Sequence, residues 1–178
     1  MTRKNEIKIM QRVFLIGFMG AGKTTIGKEL SEKMKCSFID LDLFIEGRYH
    51  KTIRQIFEEK GESVFREMEQ KILYEVAEFE DVVISTGGGT PCFYRNMDFM
   101  NKQGTTVYLK LSNEELVRRI NLNKSTRPLL EDFSAEDLSL FVEETMIKRS
   151  TFYEQAQIIF TAEIQNITMI VSSLLKLL

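Results

Sequence analysis

The stretch Gly17-Phe18-Met19-Gly20-Ala21-Gly22-Lys23-Thr24-Thr25 leaves this chain few folds to choose from. It fits the pattern G-x-x-x-x-G-K-[ST] and stands between an apolar run, Val13-Phe14-Leu15-Ile16, and a helix-periodic segment opening with Ile26-Gly27-Lys28-Glu29-Leu30. Strand, glycine loop and helix start thus follow in the order a phosphate-binding loop requires. A polyphosphate needs many donors at short range, and a backbone without side chains wraps it most closely. The N–H groups that open the following helix point at the anion, with the helix dipole in the same sense. Gly20, Ala21, Gly22, Lys23, Thr24 and Thr25 are therefore the expected nucleotide cradle. Lys23 reaches the outer phosphates and Thr24 offers its hydroxyl to Mg²⁺.

The rest of the chain alternates strand and helix. A first helix is expected from about Thr24 to Lys33, then a strand at Ser37 to Ile39 that ends in Asp40-Leu41-Asp42, with both carboxylates leaving one side of an alternating chain. Thr52 with Gln55 reads as a capping box for a short helix that stops at Gly61, and a longer helix occupies Glu62 to Glu78. Val82-Val83-Ile84 runs into a second glycine loop, Gly87-Gly88-Gly89. A helix at Arg95 to Lys102, a strand at Thr106 to Leu111 and a helix capped by Ser112 follow. The polar, aperiodic segment from Asn121 to Pro128 is the expected lid, since Pro128 forces Arg127 away from helical geometry. Ser134 with Asp137 caps a long helix to about Gln155, Ile158-Ile159-Phe160 gives a fifth strand, and residues 167–178 fit a closing amphipathic helix. This order predicts a single α/β domain over residues 1–178: a P-loop NTPase-type three-layer sandwich, with a five-stranded parallel sheet flanked by helices. Ligands in such sheets bind at the carboxyl ends of the strands, where both glycine loops and Asp40/Asp42 fall.

Composition excludes several alternatives. A net charge of −2 argues against a nucleic-acid-binding surface. His50 is the only histidine, which removes His-based triads and multi-histidine metal sites, and it is expected at the surface. Cys36 and Cys92 are too few for a disulfide scaffold and are expected as reduced thiols. No apolar run approaches the roughly 20 residues of a membrane span, so a cytoplasmic protein is expected.

Several segments, in this order, resemble the shikimate kinases of the P-loop kinase group, near the nucleoside monophosphate kinases. They are Gly17 to Thr25, Phe38-Ile39-Asp40-Leu41-Asp42 with Ile45-Glu46, and Gly61-Glu62-Ser63-Val64-Phe65-Arg66 with Glu69. Gly87-Gly88-Gly89, Thr126-Arg127-Pro128-Leu129-Leu130, and Arg149 with Tyr153 and Ala156 complete the set. The resemblance implies phosphorylation of the 3-hydroxyl of shikimate by MgATP in the route to chorismate and aromatic amino acids. It also implies a lid at about 121–132, a substrate-binding region at about 42–70, and a monomer acting on ATP and shikimate with no nucleic-acid or membrane partner. By resemblance Lys23 contacts the outer phosphates, while Thr24 and Asp40, directly or through water, hold Mg²⁺. Asp42 binds a shikimate hydroxyl and serves as its base. Arg66 and Arg149 grip the shikimate carboxylate, for which a planar fork gives bidentate geometry. Gly87, Gly88 and Gly89 bring backbone N–H groups to the acceptor, and Arg127 swings onto the transferring phosphate. Arg119 packs on adenine, with Arg118 beside it as the competing assignment, and Phe57 and Phe65 either line the acceptor pocket or belong to the core.

The chain departs from the family pattern in two places. Thr151 stands where the family usually has proline, and Pro91-Cys92 replaces the aliphatic pair common after the triple glycine. Two other readings stay open at this level: the same chemistry on gluconate or another small hydroxy acid, and a non-catalytic nucleotide-binding regulator.

Overall fold

The structure is a computed structural model that describes residues 11–123, 133–162 and 166–178. Arg127, the segment Thr126 to Leu130 and the expected lid beyond residue 123 lie outside the described residues.

Strands β1 (Arg12–Ile16), β2 (Ser37–Asp40), β3 (Val82–Ser85), β4 (Thr105–Lys110) and β5 (Ile158–Thr161) form one parallel sheet in the order β2-β3-β1-β4-β5. The helices are α1 (Lys23–Met34), α2 (Leu41–Tyr49), α3 (Ile53–Val76), α4 (Asn96–Gln103), α5 (Asn113–Leu122), α6 (Ala135–Tyr153) and α7 (Ile167–Leu174). The central strand shows why three layers result. Val13 and Leu15 face one core with Ile26 and Leu30 of α1 and apolar residues of α5, α6 and α7; Phe14 and Ile16 face the other with α2, α3 and α4. Successive side chains of a strand point to opposite faces, so a continuous apolar run in β1 needs cover on both.

The expected caps form. Thr52 and Gln55 make the reciprocal capping box of α3, and Ser134 with Asp137 that of α6. The break expected at Gly61 is real: α3 runs through it, but Gly61 has φ 78° and ψ 169°, a left-handed-side conformation that kinks the helix just before Glu62.

The structure corrects the sequence reading in two places. Asp40 and Asp42 do not leave an alternating strand together: Asp40 is the N-cap of α2, its carboxylate accepting from Leu43 N, and Asp42 lies in the first turn of that helix. Leu41 and Ile45, four apart and fully buried, form the inward stripe of α2 while Leu43 is exposed. The closing helix ends at Leu174, short of the expected 178, and is followed by a turn in which Leu177 N and Leu178 N donate to Leu174 O. His50 is the exposed residue that ends α2, at φ 52°. Cys36 packs against one core and Cys92 against the other, on opposite faces of the sheet, so they form no disulfide.

Candidate active site

The glycine loop joins the carboxyl end of β1 to α1. Gly22, at φ 90°, is the N-cap of α1 and offers no side-chain cap, which leaves the first amides of the helix aimed at the cleft. Gly17, at φ 140°, passes so close to β4 that a Cβ there would sit 2.9 Å from Leu109 O. Lys23 Nζ donates to Gly17 O at 2.8 Å and Phe18 O at 2.9 Å, which lays its ammonium along the loop. Thr24 Oγ1 donates to Asp40 Oδ2 at 2.6 Å, so a hydroxyl from α1 and a carboxylate from the end of β2 meet beside that ammonium. The cleft, of ≈ 440 Å³, is lined by this loop together with Asp40, Asp42 and Gly88.

The start of the second glycine loop is tied to the end of β1, from which the first loop leaves: Thr86 N and Oγ1 both donate to Leu15 O at 3.1 Å. None of Gly87, Gly88 and Gly89 has positive φ. Glycine is needed there because side chains from other elements press on the loop. A Cβ on Gly87 would lie 2.9 Å from Asp42 Oδ1 and 3.0 Å from Glu69 Oε1, one on Gly88 3.2 Å from Arg149 Nη1, and one on Gly89 2.6 Å from Arg66 Nη2. Residues of α2, α3 and α6, far apart in sequence, therefore meet on three consecutive glycines.

Arg66 is almost wholly buried and held from several sides. Its Nη1 donates to Glu69 Oε2 at 3.0 Å, and its Nη2 and Nε donate to Glu62 Oε1 at 3.1 and 3.3 Å. Its guanidinium carbon lies 4.3 Å from the ring centroid of Phe93, 5.1 Å from that of Phe65 and 5.7 Å from that of Phe57. Phe65 is buried in the core and Phe57 packs against it, with ring centroids 4.5 Å apart; both also form the wall of the Arg66 site. Arg149 sits 5.9 Å from the Phe18 ring centroid, and one turn further along α6 the Tyr153 hydroxyl donates to Gly88 O at 2.5 Å. Thr151 does not break α6, which continues to Tyr153.

The electrostatics single out Asp42. Its carboxyl is pushed up to about 6, first by burial and then by the negative charges of Glu69 and Asp40, with Lys23 pulling the other way. A carboxylate of that pKa is ionised at neutral pH yet basic enough to take a proton. The Cys92 thiol is pushed up to about 11, chiefly by burial, despite Arg149 and Arg66 nearby. It is therefore a neutral part of the wall rather than a nucleophile.

At the far end of the cleft, α5 presents two arginines in different settings. Arg118 is 60% exposed and bonds Glu115 twice, at 2.7 Å. Arg119 bonds Glu115 at 2.6 Å and lies beside the glycine loop, where a Cβ on Gly22 would be 3.8 Å from its Nη1. The hydrogen bond from Arg118, followed by that from Arg119, holds the Glu115 carboxyl down at about 2. Of the two, Arg119 lies against the glycine loop and Arg118 faces solvent.

Glu69 has a larger part than its sequence context suggested. It is 1% exposed and bonded to both Arg66 and Thr90, whereas a glutamate three residues after an arginine on a helix ordinarily reads as a surface pair. Burial was the missing signal, and the apolar spacing of Phe65, Met68 and Ile72 around it carried that signal in part.

A parallel α/β sheet with a phosphate-binding loop at its central strand, facing buried carboxylates and arginines, defines a P-loop phosphotransferase for a small anionic acceptor. Comparison with known proteins narrows the class. The Shikimate kinase family model matches residues 19–178. A shikimate kinase of Parabacteroides distasonis is 62% identical over 86% of this chain and 89% of its own length. The crystal structure of shikimate kinase from Bacteroides thetaiotaomicron superposes with a TM-score of 0.92 at 50% identity, covering 95% of this chain and 98% of that one. That of the Acinetobacter baumannii shikimate kinase in complex with shikimate gives 0.86 at 32% identity, covering 94% and 92%. The chain belongs to the shikimate kinase family.

Proposed function

We propose a division of labour in this cleft for the family's reaction, the ATP-dependent phosphorylation of shikimate in aromatic biosynthesis. The observation that carries it is the meeting of Asp42, Arg66 and Arg149 on Gly87-Gly88-Gly89, across the cleft from Lys23. The phosphates of ATP lie on the amides of residues 20–25, with adenine against Arg119. Lys23 leaves the Gly17 and Phe18 carbonyls for the outer phosphates, where its charge follows the transferring group.

Thr24 and Asp40 fit a Mg²⁺: they are hard oxygen donors, already paired at 2.6 Å, and few enough to leave positions for phosphate oxygens and water. When bound, the ion supplies charge neutralisation between the phosphates.

Shikimate's carboxylate lies between Arg66 and Arg149. Glu62, whose side chain is 58% exposed, gives up the Nε–Nη2 edge of Arg66 to it, while buried Glu69 keeps Nη1. The 3-hydroxyl then faces Asp42. Its oxygen attacks the terminal phosphorus, the bond to the bridging oxygen of ADP breaks with its electron pair, and the hydroxyl proton passes to Asp42. The role of Arg127 on the transferring phosphate rests on the motif Thr126-Arg127-Pro128. The same proposal has a cytoplasmic monomer, as the family resemblance implies.

Arg149→Leu tests the acceptor half. Loss of a charge-assisted pair is expected to raise KM for shikimate by about one to two orders of magnitude and to leave KM for ATP nearly unchanged. Equal loss of both ligands in steady-state kinetics contradicts the assignment.

A further inference from the structure

The triple-glycine loop ends in Thr90, a residue whose every polar group is committed. Thr90 is fully buried. Its N–H donates to Gly87 O at 3.2 Å and its carbonyl accepts from Asn96 Nδ2 at 2.9 Å, so loop and α4 fix its backbone. Its hydroxyl donates to Glu69 Oε1 at 2.6 Å. The other oxygen of that carboxylate, Oε2, accepts from Arg66 Nη1 at 3.0 Å.

We infer that Thr90 is a positioning residue for acceptor binding: by occupying one oxygen of Glu69 it restricts that carboxylate to a single-oxygen grip on Arg66 and keeps the other edge of the guanidinium for the substrate's carboxylate. The reasoning is geometric. A carboxylate and a guanidinium with nothing else to bond form a two-bond fork, because both are planar and their spacings match. Glu69 is buried and three residues from Arg66 on the same helix, so with Oε1 released it rotates toward that fork and draws the guanidinium onto α3, away from Gly89. Phe93, Phe65 and Phe57 flank the guanidinium but supply no hydrogen-bond acceptor to hold it. Glu62 holds the Nε–Nη2 edge only until the substrate's carboxylate takes its place, and from then on the hydroxyl of Thr90 is the group whose bond opposes that rotation. This inference rests on Arg66 binding the acceptor carboxylate, as proposed above.

Thr90→Val keeps the shape and removes the donor; Thr90→Ser keeps the donor. The test compares kcat and KM for both substrates in the full-length wild type and the two variants, with thermal melting as the check on folding. Thr90→Val is expected to raise KM for shikimate about ten- to a hundredfold, the range for a lost hydrogen bond to a charged group, with KM for ATP nearly unchanged. Thr90→Ser is expected to restore the wild-type KM. A wild-type shikimate KM in Thr90→Val, equal impairment of the valine and serine variants, or a parallel rise in both KM values overturns the inference. If Thr90→Val does not fold, Thr90→Ala is read by the same criteria. An Arg66→Lys variant that keeps the wild-type KM for shikimate overturns instead the reading of the acceptor site on which this rests.

Discussion

Asp42→Asn is expected to lower kcat by about two to four orders of magnitude, the usual contribution of a positioned general base, while making the unliganded protein more stable at neutral pH. Both effects have one cause. Burial and the charges of Glu69 and Asp40 push the Asp42 carboxyl up to about 6, from 3.8 in an unfolded chain. Between those values the folded protein binds more protons than the unfolded one, so this group's contribution to stability is present below about pH 4 and is lost as pH rises through 6. At about 1.36 kcal/mol for each unit of pKa, the ionised carboxylate costs the fold up to about 3 kcal/mol at pH 7. Asparagine carries no such cost. Thermal melting of wild type and variant at pH 4 and pH 8 should show a higher Tm for the variant at pH 8 and near equality at pH 4. A variant that keeps wild-type kcat, or a Tm gain of the same size at both pH values, contradicts the account. On the proposed role of Asp42, the protein gives up stability at this residue for a base that works near neutral pH.

The second large effect is expected from Lys23→Met, which removes the ammonium from the loop and keeps most of the side-chain bulk. A preorganised donor at developing charge is worth about two to three orders of magnitude in kcat, and a loss of that size is expected. KM for shikimate should change little, because the proposed acceptor contacts come from α2, α3, α6 and the second glycine loop. Melting curves separate this from a collapsed loop, since Lys23 also bonds the Gly17 and Phe18 carbonyls. Wild-type kcat, or loss of shikimate affinity without loss of kcat, would show that Lys23 has another role.

How much of this was legible in the sequence differed by element. The first glycine loop was legible because its constraint is local: backbone shape and helix start are set by nine consecutive residues. The five strands were legible because a parallel sheet buried on both faces needs continuous apolar runs, and β1, β3 and β4 have them. The helix α2 was not legible. Leu41-Asp42-Leu43-Phe44-Ile45 satisfies an alternating pattern at its start and a helical one through Leu41 and Ile45, and only the cap bond of Asp40 to Leu43 N decides between them. The candidate carboxylates were thus found, but their placement was misread.

The acceptor half shows a deeper limit. Arg66, Arg149 and the triple glycine could be singled out by likeness to a family, but their meeting depends on how α3 and α6 pack across the loop. The hydrogen bonds from Thr90 to Glu69 and from Tyr153 to Gly88, and the contact of Arg66 with the Phe93 ring, join residues 21, 65 and 27 positions apart. No local pattern encodes such pairs. Pro91 and Cys92, which looked able to reshape the pocket edge, lie in a short 3₁₀ turn, Thr90–Cys92, that carries Thr90 to Glu69.

The most direct test is a crystal structure of the protein with ADP, Mg²⁺ and shikimate. The account predicts shikimate on the Gly87-Gly88-Gly89 loop, with its carboxylate within about 3 Å of both Arg66 and Arg149 and its 3-hydroxyl within about 3 Å of Asp42, facing the glycine loop that holds ADP. Shikimate bound elsewhere, or bound with Glu62 still holding the Nε–Nη2 edge of Arg66, would contradict it.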